Sequence, residues 1–468
     1  MQRPRADRAR YLAVAEWPLV GRGAELRRLE TLLKSRDCRG VVLAGPAGVG
    51  KTRLALEGLR LAEQAGLATA RVTATRSVAG LPLGALAPLL PAADHRDVGM
   101  VDDRVELLRR SAAALIEGAG GRRLALLVDD AQLLDDTSAT LIHQLAATRD
   151  QFILATVLSG TPAPDPVVAL WKDGLVERLE VVGLHAEAVE ELLSVVLGGP
   201  VDPAAAVQLA VRCEGNVLFL RELVLGATTD GALRDEGGIW RLAGPLAPSP
   251  RLVELVEARL GRLNPPERAL LELVSVGEPI GSAELAMLAD PAMAETLERR
   301  ALLSSRMDGR RLEVRLAHAI YGDVLRARIP ALRARDISRS LAETVEATGA
   351  RRREDTLRVA TWRLIGGGAR PELLVAAATT ARWRYDFPLA ERLARAALDA
   401  GAGFDAALLA AQLASLQGRG TDAETELAVL ATQATDDSER GLVAISRLDN
   451  SVFYLGQVEK GLRLAEEA

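Results

Sequence analysis

The run Val41-Val42-Leu43-Ala44, then Gly45-Pro46-Ala47-Gly48-Val49-Gly50-Lys51-Thr52, then Arg53-Leu54-Ala55-Leu56-Glu57-Gly58-Leu59 decides how this chain folds. The first four residues are an uninterrupted apolar stretch, the pattern of a strand buried on both faces. The last seven have helical spacing. Between them stands a complete G-x-x-x-x-G-K-[ST] loop, in which glycines let successive backbone N–H groups converge on phosphates and the helix beginning near Lys51 turns its positive dipole end toward them. Lys51 is expected to reach the β- and γ-phosphates, and the Thr52 hydroxyl to ligate Mg²⁺. The 58 basic residues include four lysines, Lys34, Lys51, Lys172 and Lys460. In a chain that otherwise uses arginine, a compact ammonium stands where a point charge is wanted.

Working outward, 468 residues predict roughly three domains at about 150 residues each. A composition of 49% hydrophobic and 26% charged residues with a net charge of -5 fits a soluble globular chain and lacks the global basic footprint of a nucleic-acid binder. No apolar run reaches the ~18 residues of a membrane span, so no membrane partner is expected. The basic stretch Met1 to Arg10 is followed by an apolar segment that Glu16 interrupts, which argues against a secretory signal. Cys38 and Cys213 show no metal or redox spacing, and a reducing, cytoplasmic setting follows.

From Pro18 to about 184, short apolar runs alternate with helical stretches, the pattern of a parallel sheet with crossover helices. Strands are expected at 40–44, 68–74, 123–129, 152–158 and 178–182. Helical periodicity takes over across 185–249, with Leu233 to Leu242 and its Gly237-Gly238 as a possible hairpin. Pro245 to Pro250 reads as a linker. Residues 250–330 carry helices closed by the alternating Arg311 to Leu316, which predicts a winged-helix-like module. Beyond 331 the chain is helical, with weak similarity recurring every 33 to 36 residues, as in a tetratricopeptide-like solenoid. Residues 1–17 are left as an N-terminal extension. The amphipathic ending Gly461 to Ala468 lacks the polar cap a solenoid needs, so a longer parent protein is expected.

A phosphate loop needs an acidic partner at the end of a buried strand, and Leu124-Ala125-Leu126-Leu127-Val128-Asp129-Asp130 supplies it. Asp129 is expected to hold Mg²⁺, directly or through water. Asp130 is expected to orient or deprotonate an attacking water. Asp135-Asp136-Thr137 reads instead as the cap of a helix from Ser138 to Thr148. The fold class is thus an α/β P-loop NTPase with a five-stranded parallel sheet, followed by a helical subdomain, a winged-helix-like module and an α-solenoid.

These residues resemble the signal-transduction ATPases with numerous domains, in particular the large ATP-binding LuxR-type transcriptional regulators related to the maltose-regulon activator. The resemblance is carried by Leu19 to Leu26 ahead of the loop, Val128-Asp129-Asp130-Ala131-Gln132, Gly215-Asn216-Val217-Leu218-Phe219-Leu220-Arg221-Glu222-Leu223, and Arg315 to Leu325. It implies ATP or ADP with Mg²⁺ as cofactors. Val20, Gly21 and Arg22 would lie beside the adenine, Gly45 to Arg53 around the phosphates, and Gly215 to Phe219, with Val217 and Leu218, over the base and ribose. His318 is similar to the winged-helix histidine that meets the β-phosphate of ADP in this class, although a structural or exposed histidine is an open alternative. His95, His143 and His185 show no ligand spacing. The chain departs from the family at Leu158, where a sensor arginine often stands, and at Val217 and Ala319, where proline is common.

The resemblance implies a slow ATPase acting as a switch, closed with ADP and opened for self-association by ATP together with an inducer or protein regulator on the helical repeats. Lys51 and Asp130 would be its catalytic residues. DNA would be reached only through a C-terminal domain absent from this chain. The alternatives are an AAA+ origin-recognition or loader-type ATPase that binds DNA through its winged helix, and a P-loop small-molecule kinase.

Overall fold

A computed structural model describes residues 17–35, 37–75, 78–79, 81–90, 104–148, 151–349 and 355–467. Residues 1–16 of the expected extension, and His95, lie outside the described residues. The chain forms two compact units. The first runs to Ala258 and takes His318–Ile320, and the second comprises Arg259–Ala317 and Tyr321–Ala468.

The first unit is built on five parallel strands: β1 (Gly40–Gly45), β2 (Ala68–Thr73), β3 (Leu124–Asp129), β4 (Gln151–Leu158) and β5 (Glu177–Glu180), in the order β2-β3-β4-β1-β5. Helices α1 (Gly23–Lys34), α2 (Lys51–Gln64), α3 (Arg104–Gly118), α4 (Asp136–Ala147) and α5 (Asp165–Lys172) lie among them. The apolar runs of β1, β3 and β4 are continuous because both faces are covered. Val41, Leu43, Ala125, Leu127, Phe152 and Leu154 face one core with Leu29 of α1 and Leu54 of α2. The alternate residues Val42, Leu126, Val128, Ile153 and Ala155 face the other, with Ile142 of α4 and Leu170 of α5. Period-two alternation therefore divides one hydrophobic string between two cores. As expected, Asp135 caps α4, its carboxylate accepting from the Thr137 and Ser138 amides.

Helices α6 (Ala186–Leu197), α7 (Pro203–Cys213) and α8 (Val217–Asp230) follow, then the hairpin β6 (Leu233–Glu236)–β7 (Ile239–Leu242) and α9 (Pro250–Leu260).

The second unit opens with α10 (Pro265–Gly277), β8 (Ile280–Gly281), α11 (Ser282–Leu288), α12 (Pro291–Arg299), β9 (Leu303–Asp308) and β10 (Arg311–Leu316). Its three strands pair antiparallel in the order β8-β10-β9, the helix-and-wing sequence of a winged helix. The expected strand at 311–316 is present, but its burial is not a simple alternation. Glu313 and Val314 are both buried, and the Glu313 carboxylate is held 3.2 Å from the Arg315 guanidinium.

After α13 (Ala319–Arg328), α14 (Ala331–Ala347) and α15 (Asp355–Gly366) come paired helices: α16 (Pro371–Trp383) with α17 (Phe387–Asp399), α18 (Phe404–Leu416) with α19 (Gly420–Gln433), and α20 (Asp437–Asp449) with α21 (Val458–Glu467). The starts of α16, α18 and α20, residues 371, 404 and 437, are 33 apart, as are those of α17 and α19, residues 387 and 420. Their interfaces are lined by buried alanines, among them Ala377, Ala381, Ala390, Ala394, Ala397, Ala406 and Ala410. Such small side chains favour the helix and let neighbouring backbones approach closely. Glu391 accepts from Arg395 at 2.8 Å, from Gln417 at 2.7 Å and from Arg419. Glu424, 33 residues on, pairs with Arg447 at 2.8 Å and Lys460 at 3.0 Å.

Leu127 has 0% exposure at the centre of β3. Leu127→Ala is expected to destabilise the first unit by about 2–5 kcal/mol, measured as the shift of its denaturant-unfolding midpoint with the slope unchanged.

Candidate functional site

Most of the side chains singled out from the sequence gather at the carboxyl ends of β1, β3 and β4, where open parallel sheets receive ligands. The loop after β1 is positioned by contacts that are distant in sequence. Arg22, 4% exposed, donates from Nη2 to Val49 O at 2.9 Å and to Val182 O at 2.6 Å. Its Nη1 pairs with Glu25 at 2.9 Å. A buried guanidinium is tolerated because these acceptors satisfy it. Gly21 stands at φ +69°, where an added Cβ would lie 2.5 Å from Ala188 Cβ on α6. Val20-Gly21-Arg22 thus fixes the entry of the chain beside the loop.

On the far side, the start of α8 is tied to the loop. Asn216 caps α8, its Oδ1 accepting from the Leu218 and Phe219 amides. Its Nδ2 donates to Ala47 O at 2.8 Å, and the Leu218 amide donates to Gly48 O at 3.2 Å. Gly48 has φ +83°, and a Cβ there would sit 2.4 Å from Asn216 Oδ1. Glycine at this position is required twice, by backbone conformation and by the approach of Asn216.

Within the loop, buried Lys51 donates from Nζ to Gly45 O at 2.9 Å and Pro46 O at 2.7 Å. The Thr52 hydroxyl donates to Asp129 Oδ1 at 3.0 Å. Asp129, 4% exposed, also accepts from Thr156 Oγ1 of β4 at 2.7 Å and faces Arg71 Nη2 of β2 at 3.5 Å. Asp130 follows at φ +56°, a left-handed conformation that is costly for a residue with a side chain and clusters at functional sites. Its amide donates to Thr156 Oγ1 at 2.8 Å, and its Oδ1 accepts from Gln132 Nε2 at 3.0 Å.

These groups border a cavity of about 620 Å³, in the size range of small-molecule sites. Its polar end carries Lys51, Thr52, Arg53 and Asp130, and Leu158 stands at the tip of β4. Pro18, Leu19, Val20, Leu56, Leu184, Leu192, Val217 and Leu218 make the rest largely apolar, with Trp17 and Arg221 at its border. Of the residues singled out from the sequence, Val20, Arg22, Ala47, Gly48, Val49, Gly50, Lys51, Thr52, Arg53, Asp130, Val217 and Leu218 line this space. Gly45 and Pro46 meet Lys51 from behind, and Asp129 is buried beneath Thr52. His318 does not line it. Its Nδ1 lies 3.0 Å from Glu214 Oε2, and its ring meets Phe219 edge-on at 6.1 Å.

Sequence reasoning missed Trp17, Leu56, Leu184, Leu192 and Arg221 as cavity residues. Trp17 directly precedes Pro18-Leu19-Val20, and Arg221 lies one helical turn beyond Val217 and Leu218, so spacing could have found both. Leu184 and Leu192 arrive by tertiary packing alone.

Glu214 occupies the left-handed C-cap of α7 at φ +48°, and its Oε1 accepts from the Ala319 amide at 2.7 Å. Burial pushes its carboxyl up, but the His318 and Ala319 hydrogen bonds and the imidazole's charge bring it below the ordinary glutamate range. Next to it, burial pushes the Cys213 thiol up to about 11, so it stays protonated and unreactive.

Residues 18–158 match the family model of the AAA ATPase domain. No curated protein matches the chain. Among solved structures, it is similar to an ORC1 protein from Aeropyrum pernix in complex with DNA, at 18% identity and TM-score 0.38, covering 68% of this chain and 96% of that one. A signal-transduction ATPase with a tetratricopeptide repeat sensor from Pyrococcus horikoshii matches at 19% identity and TM-score 0.31, covering 97% of this chain and 65% of that one. AMPPCP-bound DnaA from Aquifex aeolicus matches at 15% identity and TM-score 0.33, covering 45% and 62%. Similarity at this level assigns no activity. The chain carries a AAA-type ATPase domain on a P-loop fold. Such a domain implies nucleotide binding, usually with Mg²⁺. The site fits both: Thr52 and Asp129 offer adjacent oxygens for a cation that keeps most of its water and phosphate ligands. Among the described residues, no helix is long and apolar enough to cross a membrane.

Gly48→Ala and Asn216→Ala, which attack the same tie from opposite sides, are each expected to weaken nucleotide binding by about tenfold (~1.4 kcal/mol), read by titration with a fluorescent nucleotide. Because the folded state lowers the Glu214 value, the stability it contributes is present above the unfolded value of about 4.3 and is lost as pH falls through the folded one. The melting-temperature advantage of wild type over Glu214→Gln should therefore be full at pH 6–7 and vanish toward pH 3.

Proposed function

We propose that this chain is an ATP/ADP-dependent switch of the signal-transduction ATPase type, akin to the large LuxR-type regulators, with ATP binding and slow hydrolysis controlling opening and self-association. The observation that carries the proposal is the pair of hydrogen bonds from Asn216 and Leu218 of the helical subdomain to Ala47 O and Gly48 O of the phosphate loop. The backbone that cradles the phosphates is the backbone that holds α8. A shift of the loop by a γ-phosphate must be felt at α8, which supplies the differential contact a two-state element requires.

In this reading the apolar side of the cavity takes the base and ribose, with Val20, Val217 and Leu218 against them. The Gly48 to Lys51 amides and the Lys51 ammonium hold the β- and γ-phosphates. Thr52 and Asp129 would hold Mg²⁺, whose charge would offset that of the phosphates. Asp130 accepts a proton from, or orients, the attacking water. His318, paired with Glu214 and outside the cavity lining, is given no role at the nucleotide in this reading. The tetratricopeptide-like helix pairs would take the inducer or protein regulator.

The test is the nucleotide released on denaturing the purified protein, together with titration of ATP and ADP. Lys51→Ala should weaken binding by about 10- to 100-fold (~1.5–3 kcal/mol). Asp130→Asn should keep binding and slow hydrolysis by about 10²- to 10⁴-fold. The proposal fails if no nucleotide binds, or if Lys51→Ala leaves binding intact. Salt-dependent affinity for random duplex DNA would favour a loader-type ATPase instead.

A further inference from the structure

We propose that Gln132 is a positioning residue for the hydrolytic step, holding Asp130 in place for water attack and coupling it to the tip of β4. The proposal rests on the nucleotide reading above. Gln132 lies in the single 3₁₀ turn Ala131–Leu133 that follows Asp130, and its side chain makes two hydrogen bonds in opposite senses. Its Nε2 donates to Asp130 Oδ1 at 3.0 Å, and its Oε1 accepts from the Leu158 amide at 3.0 Å. The partners fix the amide's orientation, because a carboxylate can only accept here and a backbone N–H can only donate. Only a side chain with a donor and an acceptor on one short plane serves both.

The geometry leaves the reactive oxygen available. Asp130 is already constrained by its left-handed backbone and by its amide bond to Thr156 Oγ1. Gln132 uses Oδ1, so Oδ2 remains to accept from a water in the cavity that Asp130 lines. Gln132 itself does not line that cavity, so its effect passes through Asp130 and Leu158, which do. At the β4 tip the chain presents the apolar Leu158 rather than a charged side chain. What the strand end does offer is its backbone N–H, and Gln132 carries the position of that N–H to the carboxylate. A displacement at the β4 tip would thereby move the base.

The balanced step is addition of water to the γ-phosphorus as the bond to the β,γ-bridging oxygen breaks. ADP leaves with that oxygen, and the water proton passes to Asp130 or to phosphate.

The experiment uses the full chain as wild type, Gln132→Glu and Gln132→Leu, with Mg·ATP affinity by titration, single-turnover hydrolysis at saturating ATP, and melting temperature as the check on folding. Gln132→Glu is isosteric, keeps the acceptor for Leu158 and removes the donor to Asp130. Gln132→Leu removes both. The expected result is that each variant binds Mg·ATP within about threefold of wild type and hydrolyses it at least about tenfold more slowly. A wild-type rate in Gln132→Glu overturns the proposal and reduces Gln132 to a prop for β4. A loss of affinity parallel to the loss of rate also overturns it, since that marks a binding residue. If Gln132→Leu does not fold, Gln132→Glu alone decides. Wild-type protein that binds ATP without single-turnover hydrolysis refutes the positioning role while leaving the nucleotide reading intact, whereas absence of binding refutes that reading.

Discussion

A single buried carboxylate, that of Asp129, holds the site end of the sheet together. It sits at the end of β3, takes hydrogen bonds from Thr52 at the start of α2 and from Thr156 on β4, and faces Arg71 on β2. An isolated charge at this depth would cost several kcal/mol, so these donors are required for the fold as much as for chemistry. Because β4 is inserted between β1 and β3, the strand that leads into the phosphate loop and the strand that ends in Asp129 are not neighbours in the sheet. Thr156 spans that insertion, accepting from the Asp130 amide and donating to Asp129 with one hydroxyl. The spacing of the loop, Asp129 and Asp130 is thus set by three side chains from separate elements, those of Thr52, Asp129 and Thr156.

The same economy appears on the other flank. Arg22 and Asn216 grip the phosphate loop through the carbonyls of Val49 and Ala47. The loop is gripped from before and after itself in sequence. Asn216 and Leu218 thus tie the loop backbone to the start of α8.

Much of this was legible in the chain. The core strands were, because residues such as Val41 to Ala44 and Leu124 to Val128 are apolar at every position, and only a strand covered on both faces needs that. The loop was, because its chemistry is local. Strand β9 was not, because only Leu303 of its six residues is buried, and the strand is held by its backbone ladder to β10. Gln132 was visible in the acidic motif, but its partner Leu158 lies 26 residues away and no periodicity reports a hydrogen bond of that kind. Leu184 and Leu192 were hidden for the same reason, whereas Trp17 was lost only to a boundary drawn one residue too late.

The paired carboxylates of Glu391 and Glu424 give the helical repeats a property beyond packing. Each belongs to the second helix of its pair and is paired with cations from later in the chain, Arg419 in one case and, through Oε1, Arg447 with Lys460 in the other. The alanine interfaces could slide past one another with little change in contact area, but the carboxylates could not do so without losing their cations. The array should therefore behave as a chain of keyed joints, free to flex in curvature yet fixed in register, and its failure under load should begin at one joint rather than spread evenly along its length.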